Sequence, residues 1–244
     1  MSLRERFDRE LKDVRQSVID MAQLVYDQLV LALQGMETFD PDIPERIFAF
    51  DEKVNETRFT IEAKCFRLLA TQQPTAGVLR FEIAAMNIII DLERMGDKAK
   101  DIAETFIRLQ RSPKTVRSAE LERMSKLVKV MLQSCIQAYA NDDIALARQV
   151  AERDAELDEM FRQVLDEMIE LAVESKKAKK ITASFGVIQA AQNLERVGDL
   201  ATNIAERVIY TVTGTIEEMN IHTYKPPESV PEKAADEAPG KTTE

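Results

Sequence analysis

Apolar residues recur every three or four positions over most of this chain, which is the spacing of one face of an α-helix. Two stretches carry the pattern most regularly, with successive spacings of 4, 3, 4, 3 and 4 residues, typical of a heptad seam between packed helices. The seam residues are Ile88, Leu92, Met95, Ala99, Ile102 and Phe106 in the first stretch, and Ala190, Leu194, Val197, Ala201, Ile204 and Val208 in the second. The pattern therefore predicts long helices that bury one face against other helices.

Proline, glycine and capping residues divide this pattern into six predicted helices. The helices run from about Leu3 to Glu37, from the Asp40-Pro41 cap to just before Pro74, from Ala76 to Gln110, from just after Pro113 to Tyr139, from the Asn141-Asp142-Asp143 cap to Glu174, and from Ile181 to Gly214. The chain has only 7 Gly, 8 Pro and no Trp among 244 residues, a composition that also favours an all-α protein.

The chain contains an internal repeat. The residues from Leu92 to Ala99 read LERMGDKA, and those from Leu194 to Ala201 read LERVGDLA, 102 positions later. We therefore predict an all-α fold of two tandem three-helix bundles that arose by duplication and are related by a pseudo-twofold axis.

The predicted domains are residues 1–111 for the first repeat and 112–221 for the second, followed by a disordered tail over 222–244. The tail combines prolines with small and charged residues, so it cannot bury enough apolar surface to fold. It also holds the only histidine, His222.

The charge of the chain limits its partners. A formal net charge of −10 argues against nucleic acid, because phosphate backbones are bound by basic surfaces. The run Lys176-Lys177-Ala178-Lys179-Lys180 is a local exception that could touch an acidic partner or a membrane surface, although a solvated turn explains it more simply. No apolar run reaches the ~20 residues that span a bilayer. Two isolated cysteines suit buried thiols in a reducing compartment, and we expect a cytoplasmic protein.

The repeated segment carries acidic residues on the side of the helix opposite the seam. Like charges four residues apart cost about 0.2–0.5 kcal/mol per pair, and a mid-helix glycine costs about 1 kcal/mol relative to alanine. Gly96 and Gly198 accept that cost at equivalent positions, which indicates a functional site. The candidate metal ligands are Glu93, Asp97 and Asp101 with Asp51 and Asn55 in the first half, and Glu195, Asp199 and Asn203 with Asp154 and Asp158 in the second.

The same residues are also compatible with purely structural roles. The acids could form an ordinary solvated face, paired with the basic residues Arg94, Lys98, Lys100 and Arg196. The two glycines could equally serve the close approach of a neighbouring helix.

The available donors restrict the chemistry of a metal site. Carboxylate and amide oxygens suit Mg²⁺, Ca²⁺, Mn²⁺ or ferric iron and argue against a structural zinc site. The Glu-x-x-His pairs of di-iron bundle enzymes are absent, as are Gly-rich phosphate loops and nucleophile elbows. We therefore do not expect an enzyme.

The doubled Leu-Glu-Arg-x-Gly-Asp motif resembles the PhoU family, as do the residues from Ala201 to Glu206 and from Val208 to Gly214. The segment from Pro74 to Arg80 is similar to the family's lead-in to its third helix, with Val78 where the family usually has aspartate. The resemblance covers about residues 1–218 and implies two similar three-helix bundles.

The resemblance also implies a function and partners. It implies a non-enzymatic, cytoplasmic negative regulator of phosphate uptake, forming a homodimer and coupling the ATPase of a phosphate ABC transporter to a phosphate-sensing histidine kinase. Contact with the membrane is then expected only through those partners. It further implies multinuclear clusters of iron, or bound Mn or Mg, on Glu/Asp-x-x-x-Asp motifs. Such motifs are present in both halves here, and because Asn203 replaces the last acid, the two sites are expected to differ.

Three hypotheses follow. The first is an adaptor that binds a transporter ATPase and a kinase. The second is a metal-storing or metal-sensing helical bundle. The third is a helical scaffold whose acids only solvate its surface.

Overall fold

A computed structural model describes residues 3–72, 74–110 and 117–219 of the chain. These residues form the helices α1 (Leu3–Thr38), α2 (Ile43–Gln72), α3 (Ala76–Gln110), α4 (Ala119–Asn141), α5 (Ile144–Glu152), α6 (Asp154–Ser175) and α7 (Ala178–Thr213). The prediction of an all-α fold is confirmed. The predicted boundary between the halves at residues 111 and 112, and the predicted tail with His222, lie outside the described residues.

The helices pack as two bundles. Helices α1, α2 and α3 form the first, and α4 to α7 form the second. The bundles meet where α3 packs along α7 and α1 packs against α4. The start of α3 lies at the end of α7, because the Arg80 guanidinium lies beside Gly214, so these two helices run antiparallel. Both predicted heptad seams are buried, with no seam residue more than 2% exposed.

The predicted fifth helix is not continuous. Helix α5 ends at Glu152 and α6 begins at Asp154. Between them the Arg153 N–H donates to the Val150 carbonyl at 3.2 Å, a tightened i to i−3 turn. Arg153 keeps right-handed helical angles, with φ −76° and ψ −15°, so the break is one tight turn rather than a loop.

Two predicted helix starts also shift. Helix α2 begins at Ile43 instead of at Pro41, because the Asp40 carboxylate accepts the Asp42 N–H at 3.0 Å and holds a turn before the helix. Helix α7 begins at Ala178, three residues earlier than predicted, because the Lys177 carbonyl already accepts the Ile181 N–H at 3.1 Å. Local hydrogen bonds, which the apolar spacing does not report, set both boundaries.

The two cysteines are unpaired and buried, as predicted. Burial raises the pKa of Cys65 to about 11 and that of Cys135 to about 12, so both stay protonated at neutral pH. Among the helices that the structure describes, none is both long enough and apolar enough to cross a membrane.

The repeated glycines lie where another helix closely approaches the backbone. A Cβ atom at Gly198 would overlap Cδ2 of Leu157 on α6. A Cβ atom at Gly96 would lie 3.0 Å from Oε1 of Gln28 on α1, and the Gln28 Nε2 donates to the Gly96 carbonyl at 3.2 Å. Close helix approach, a role that the sequence left open, therefore accounts for both glycines.

Replacing Gly198 by alanine should destabilise the fold, because the added methyl group would overlap Leu157, which is fully buried. We expect a loss on the order of 1–3 kcal/mol, after allowing for the helix-propensity gain of about 1 kcal/mol. Denaturant unfolding measures the difference. Gly77→Ala is the matched control, since a Cβ atom there meets nothing within 4 Å. Equal stability of the two variants would contradict the close packing.

Candidate functional site

The predicted metal ligands lie along two helix pairs rather than on fully solvated faces. In the first half they lie along α2 and α3, and all five are half-buried: Asp51, Asn55, Glu93, Asp97 and Asp101. In the second half they lie along α6 and α7, where one is buried, Asp154, and four are half-buried: Asp158, Glu195, Asp199 and Asn203. Each set therefore lies beside the line where two helices of one bundle meet.

In the first half, a lysine links the two helices. The Lys100 Nζ donates to Asp51 Oδ2 at 2.9 Å and to Asp97 Oδ1 at 3.2 Å. Burial acts to lower the pKa of Lys100, but its hydrogen bonds to Asp51 and Asp97 and their negative charges outweigh burial and raise the pKa. The ammonium group thus occupies the position that a bound cation would take between the two carboxylates.

The remaining candidate acids of α3 also have cationic neighbours. Arg58 on α2 approaches Glu93, with Nη1 4.0 Å from Oε1. Lys98 pairs with Asp101 at 2.8 Å, one turn further along α3. The structure therefore brings Asp51 and Asp97 together, whereas Asp101 pairs separately with Lys98.

The second half has lost both of the cations that link α2 and α3 in the first half. The positions equivalent to Arg58 and Lys100 are occupied by Phe161 and Thr202. An acid, Asp158, also takes the position of Asn55. The repeat offsets are 103 residues between α2 and α6 and 102 residues between α3 and α7.

The second half therefore concentrates negative charge. Burial raises the pKa of Glu195 to about 7, and the charges of Asp199, Asp158 and Asp154 add to the effect, while Arg196 opposes it. Arg196 reaches Asp199 at 3.0 Å and Glu195 at 3.5 Å, but 58% of its side chain is exposed. Exposed ion pairs contribute little, so Arg196 compensates the cluster only weakly.

The two halves differ in what they offer a metal ion. Over residues 3–72, 74–110 and 117–219, no three acidic, histidine or cysteine side chains converge on one point in a metal-binding arrangement. A metal in the first half would have to displace Lys100. In the second half the four carboxylates supply oxygen donors, the ligands that divalent and trivalent cations prefer, but their side chains would have to rearrange to share one ion.

Two buried acids on α3 are absent from the residues singled out by the sequence. Glu82 is fully buried, its oxygens accept no hydrogen bond from the described residues, and burial raises its pKa to about 7. Asp91 is 7% exposed, and burial raises its pKa to about 6, while Arg94 and Arg207 oppose the shift. Both acids lie at the helical spacing of the buried apolar residues of α3. An acidic residue at a position where the pattern expects an apolar one is the sequence signal that points to them.

The carboxylate cluster around Glu195 should make stability depend on pH. Because the folded-state pKa of Glu195 lies above its ordinary value of 4.5, the folded state binds more protons than the unfolded state between pH 4.5 and 7. Stability therefore falls as pH rises through this window. Glu195→Gln should stabilise the protein at pH 8 by on the order of 2 kcal/mol and have little effect below pH 4.5.

Thermal unfolding of wild type and Glu195→Gln across this pH range measures the effect. The control is Glu93→Gln, the same change in the first half, which should give no gain because Arg58 approaches Glu93. A pH profile identical in wild type and Glu195→Gln would contradict the charge cluster.

Comparison with known proteins identifies the family. The family model described as the PhoU domain matches twice, over residues 18–106 and 121–208. A phosphate-specific transport system accessory protein PhoU homolog of Pseudomonas aeruginosa is 34% identical over 212 residues, covering 86% of this chain and 87% of that protein. The corresponding homolog of Streptococcus pneumoniae is 32% identical over 218 residues, covering 89% of this chain and 100% of that protein.

Solved structures agree with the sequence comparison. The crystal structure of PhoU from Pseudomonas aeruginosa matches with a TM-score of 0.82 and 34% identity, over 86% of this chain and 100% of that one. The phosphate transport system regulatory protein PhoU from Streptococcus pneumoniae matches with a TM-score of 0.80 and 31% identity, over 87% of this chain and 99% of that one. The two halves match the same domain, and the chain is a member of the PhoU family.

Proposed function

We propose that this chain is a negative regulator of phosphate uptake and of phosphate-starvation signalling. The observation that carries the proposal is the double match to the PhoU domain, together with relatives named as accessory proteins of phosphate-specific transport. An accessory protein acts by binding other proteins rather than by catalysing a reaction. We therefore propose a cytoplasmic, non-enzymatic adaptor that joins the ATPase of a phosphate ABC transporter to a phosphate-sensing histidine kinase.

An adaptor needs surfaces that a partner can cover, and α2 offers one. Phe59 and Phe66 are seven residues apart on α2, hence on one side of the helix, and are 59% and 53% exposed. The Arg58 guanidinium lies 5.1 Å from the centre of the Phe59 ring. Large exposed aromatic residues beside an arginine are typical of interface centres. We propose this α2 stripe as a docking surface for a partner protein.

Affinity capture from crosslinked cells grown with abundant phosphate tests the adaptor. We expect the transporter ATPase and the sensor kinase to be recovered with the wild-type chain, and at least one of them to be lost with the Phe59→Ser, Phe66→Ser variant. Val130→Ser on α4 is the control, since Val130 is also exposed, at 41%. Recovery of neither protein with the wild-type chain, from cells that express both, would overturn the adaptor.

We also propose that the chain forms a homodimer, as the resemblance to its family implies. Light scattering on the purified chain distinguishes a dimer from a monomer.

Metal binding is a second candidate function, favoured by the carboxylate cluster of the second half. The charges of Asp154, Asp158 and Asp199 all act to raise the pKa of Glu195, so a cation bound among them would relieve this repulsion. Iron, Mn²⁺ or Mg²⁺ bound there would supply positive charge and would have no catalytic role in this proposal. In the first half Lys100 already places a positive charge between Asp51 and Asp97.

Titration with Mn²⁺, Mg²⁺ or Fe³⁺ tests this function at pH 8, where the cluster is charged. We expect a metal to raise the unfolding temperature of wild type, because a ligand that binds only the folded state stabilises it. The variant Asp199→Asn should lose most of that rise, and Asp97→Asn, the same change in the first half, should keep it. If none of the three metals raises the unfolding temperature of the wild-type protein, the metal function is contradicted. The adaptor proposal would not be affected.

A further inference from the structure

The turn between α6 and α7 combines lysines, three of them exposed and Lys180 half-buried, with exposed apolar side chains. Two residues, Lys176 and Lys177, make the connection, and Lys179 and Lys180 follow in the first turn of α7. Four large apolar residues within about two helical turns of this connection are Ile169 at 49% exposure, Val173 at 68%, Ile181 at 46% and Phe185 at 60%. We call these eight residues the lysine tip.

The positive charges of the lysine tip do not stabilise the fold through ion pairs with the described residues. In the part of the chain that the structure describes, none of the four ammonium groups forms an ion pair. The first turn of α7 contains no acidic residue. Lys176 has a left-handed backbone, with φ 49°, which closes the connection tightly and keeps the lysines close together. Positive charge is therefore concentrated at one end of a protein whose formal net charge is −10.

The nearest acids lie on a different side of α6. Glu167 accepts a hydrogen bond from the Ser118 hydroxyl at 2.7 Å, so its side of the helix faces the start of α4. Glu170 and Glu174 continue that side at helical spacing. Ile169 and Val173 form a separate stripe, rotated by about 100° from these acids. The exposed apolar stripe of α6 is thus separate from its acidic stripe.

The first half provides an internal comparison. The positions equivalent to Ile169, Ile181 and Phe185 are Phe66, Leu79 and Ile83, which are 53%, 39% and 41% exposed. The connection between α2 and α3 contains no charged residue from Thr71 to Leu79. Both halves therefore expose apolar side chains at the equivalent end of each bundle, but only the second half adds lysines to them. Folding of the bundle does not require those lysines.

We propose that the lysine tip docks on the surface of an anionic lipid membrane. The apolar side chains would enter the boundary between headgroups and acyl chains, and the ammonium groups would remain among the lipid phosphates. A tip at the end of a helical hairpin is convex, whereas helical or extended peptides bind in grooves or along sheet edges. Four lysines without fixed hydrogen-bond partners also suit the diffuse charge of a lipid surface better than a single acidic side chain.

The acidic remainder of the protein does not prevent this contact. At about 0.15 M salt, charges are screened over about 8 Å. Helix α7 has 36 residues and is therefore about 54 Å long. When the tip faces the lipid and α7 stands perpendicular to the bilayer, acids near the other end of α7, such as Glu206, lie several screening lengths from the lipid. The protein would then bind the membrane in one orientation, with the lysine tip at the lipid. This orientation would place the adaptor next to a membrane transporter.

Cosedimentation of the full-length chain with lipid vesicles tests the proposal. We expect binding to vesicles of phosphatidylcholine mixed with phosphatidylglycerol, and little binding to phosphatidylcholine alone. Each lysine near an anionic surface contributes roughly a five-fold increase in partitioning, so changing all four lysines to glutamine should weaken binding at least one hundred-fold. Raising the salt to about 1 M should have a similar effect, because screening then acts within about 3 Å.

A matched pair of variants separates the tip from general hydrophobicity. Phe185→Ser should weaken binding several-fold, and Ile83→Ser, at the equivalent position of the lysine-free end of the first bundle, should leave it unchanged. Circular dichroism and thermal unfolding should be the same in all variants, since the changed side chains are exposed except for Lys180, which is half-buried. Failure of the wild-type chain to prefer anionic vesicles, or equal loss of binding in Phe185→Ser and Ile83→Ser, would overturn the proposal. Such a result would indicate that the lysine tip contacts an acidic protein instead of a membrane. It would not change the interpretation of the affinity-capture experiment.

Discussion

The antiparallel packing of α3 against α7 joins the two bundles, and the remaining helices are arranged around it. Each of these helices packs inside its own bundle and against the other bundle, so each is buried on more than one side. Small residues make this possible, and they recur at equivalent positions, as in Ala99 with Ala201 and Ala103 with Ala205, all at most 1% exposed. The duplicated motif therefore lies at the centre of the molecule, and packing alone is enough to keep its apolar and glycine positions.

The acidic positions beside that motif are not explained by packing, and they have diverged between the halves. In the first half Lys100 bridges Asp51 and Asp97, while Arg58 and Lys98 lie beside the other two acids of the site. In the second half Thr202 occupies the position of Lys100, and the carboxylates around Glu195 raise one another's proton affinity. One copy thus carries a lysine between its carboxylates, and the other carries the acidic cluster for which we propose a metal ligand.

Much of the fold could be predicted from the sequence, because heptad spacing and breakers report directly on burial. Both seams were predicted and are buried. The break at Arg153 could not be predicted, because a single tightened turn changes neither composition nor spacing. The candidate ligands could be placed on their helices, but not their partners, since the contact of Lys100 with Asp51 crosses from one helix to another. For Gly198 the sequence left a functional role and a packing role open, because only the fold shows that Leu157 of another helix fills the space beside it.

As a member of the PhoU family, this chain is proposed to keep phosphate-starvation genes off when phosphate is plentiful. The decisive measurement is reporter expression from a phosphate-starvation promoter, in a bacterial strain that lacks its own family member and expresses this chain under abundant phosphate. A regulator of this kind should repress the reporter to the level of the parent strain. A fully active reporter, in cells where the folded chain and its transporter and kinase partners are all present, would contradict the proposed function.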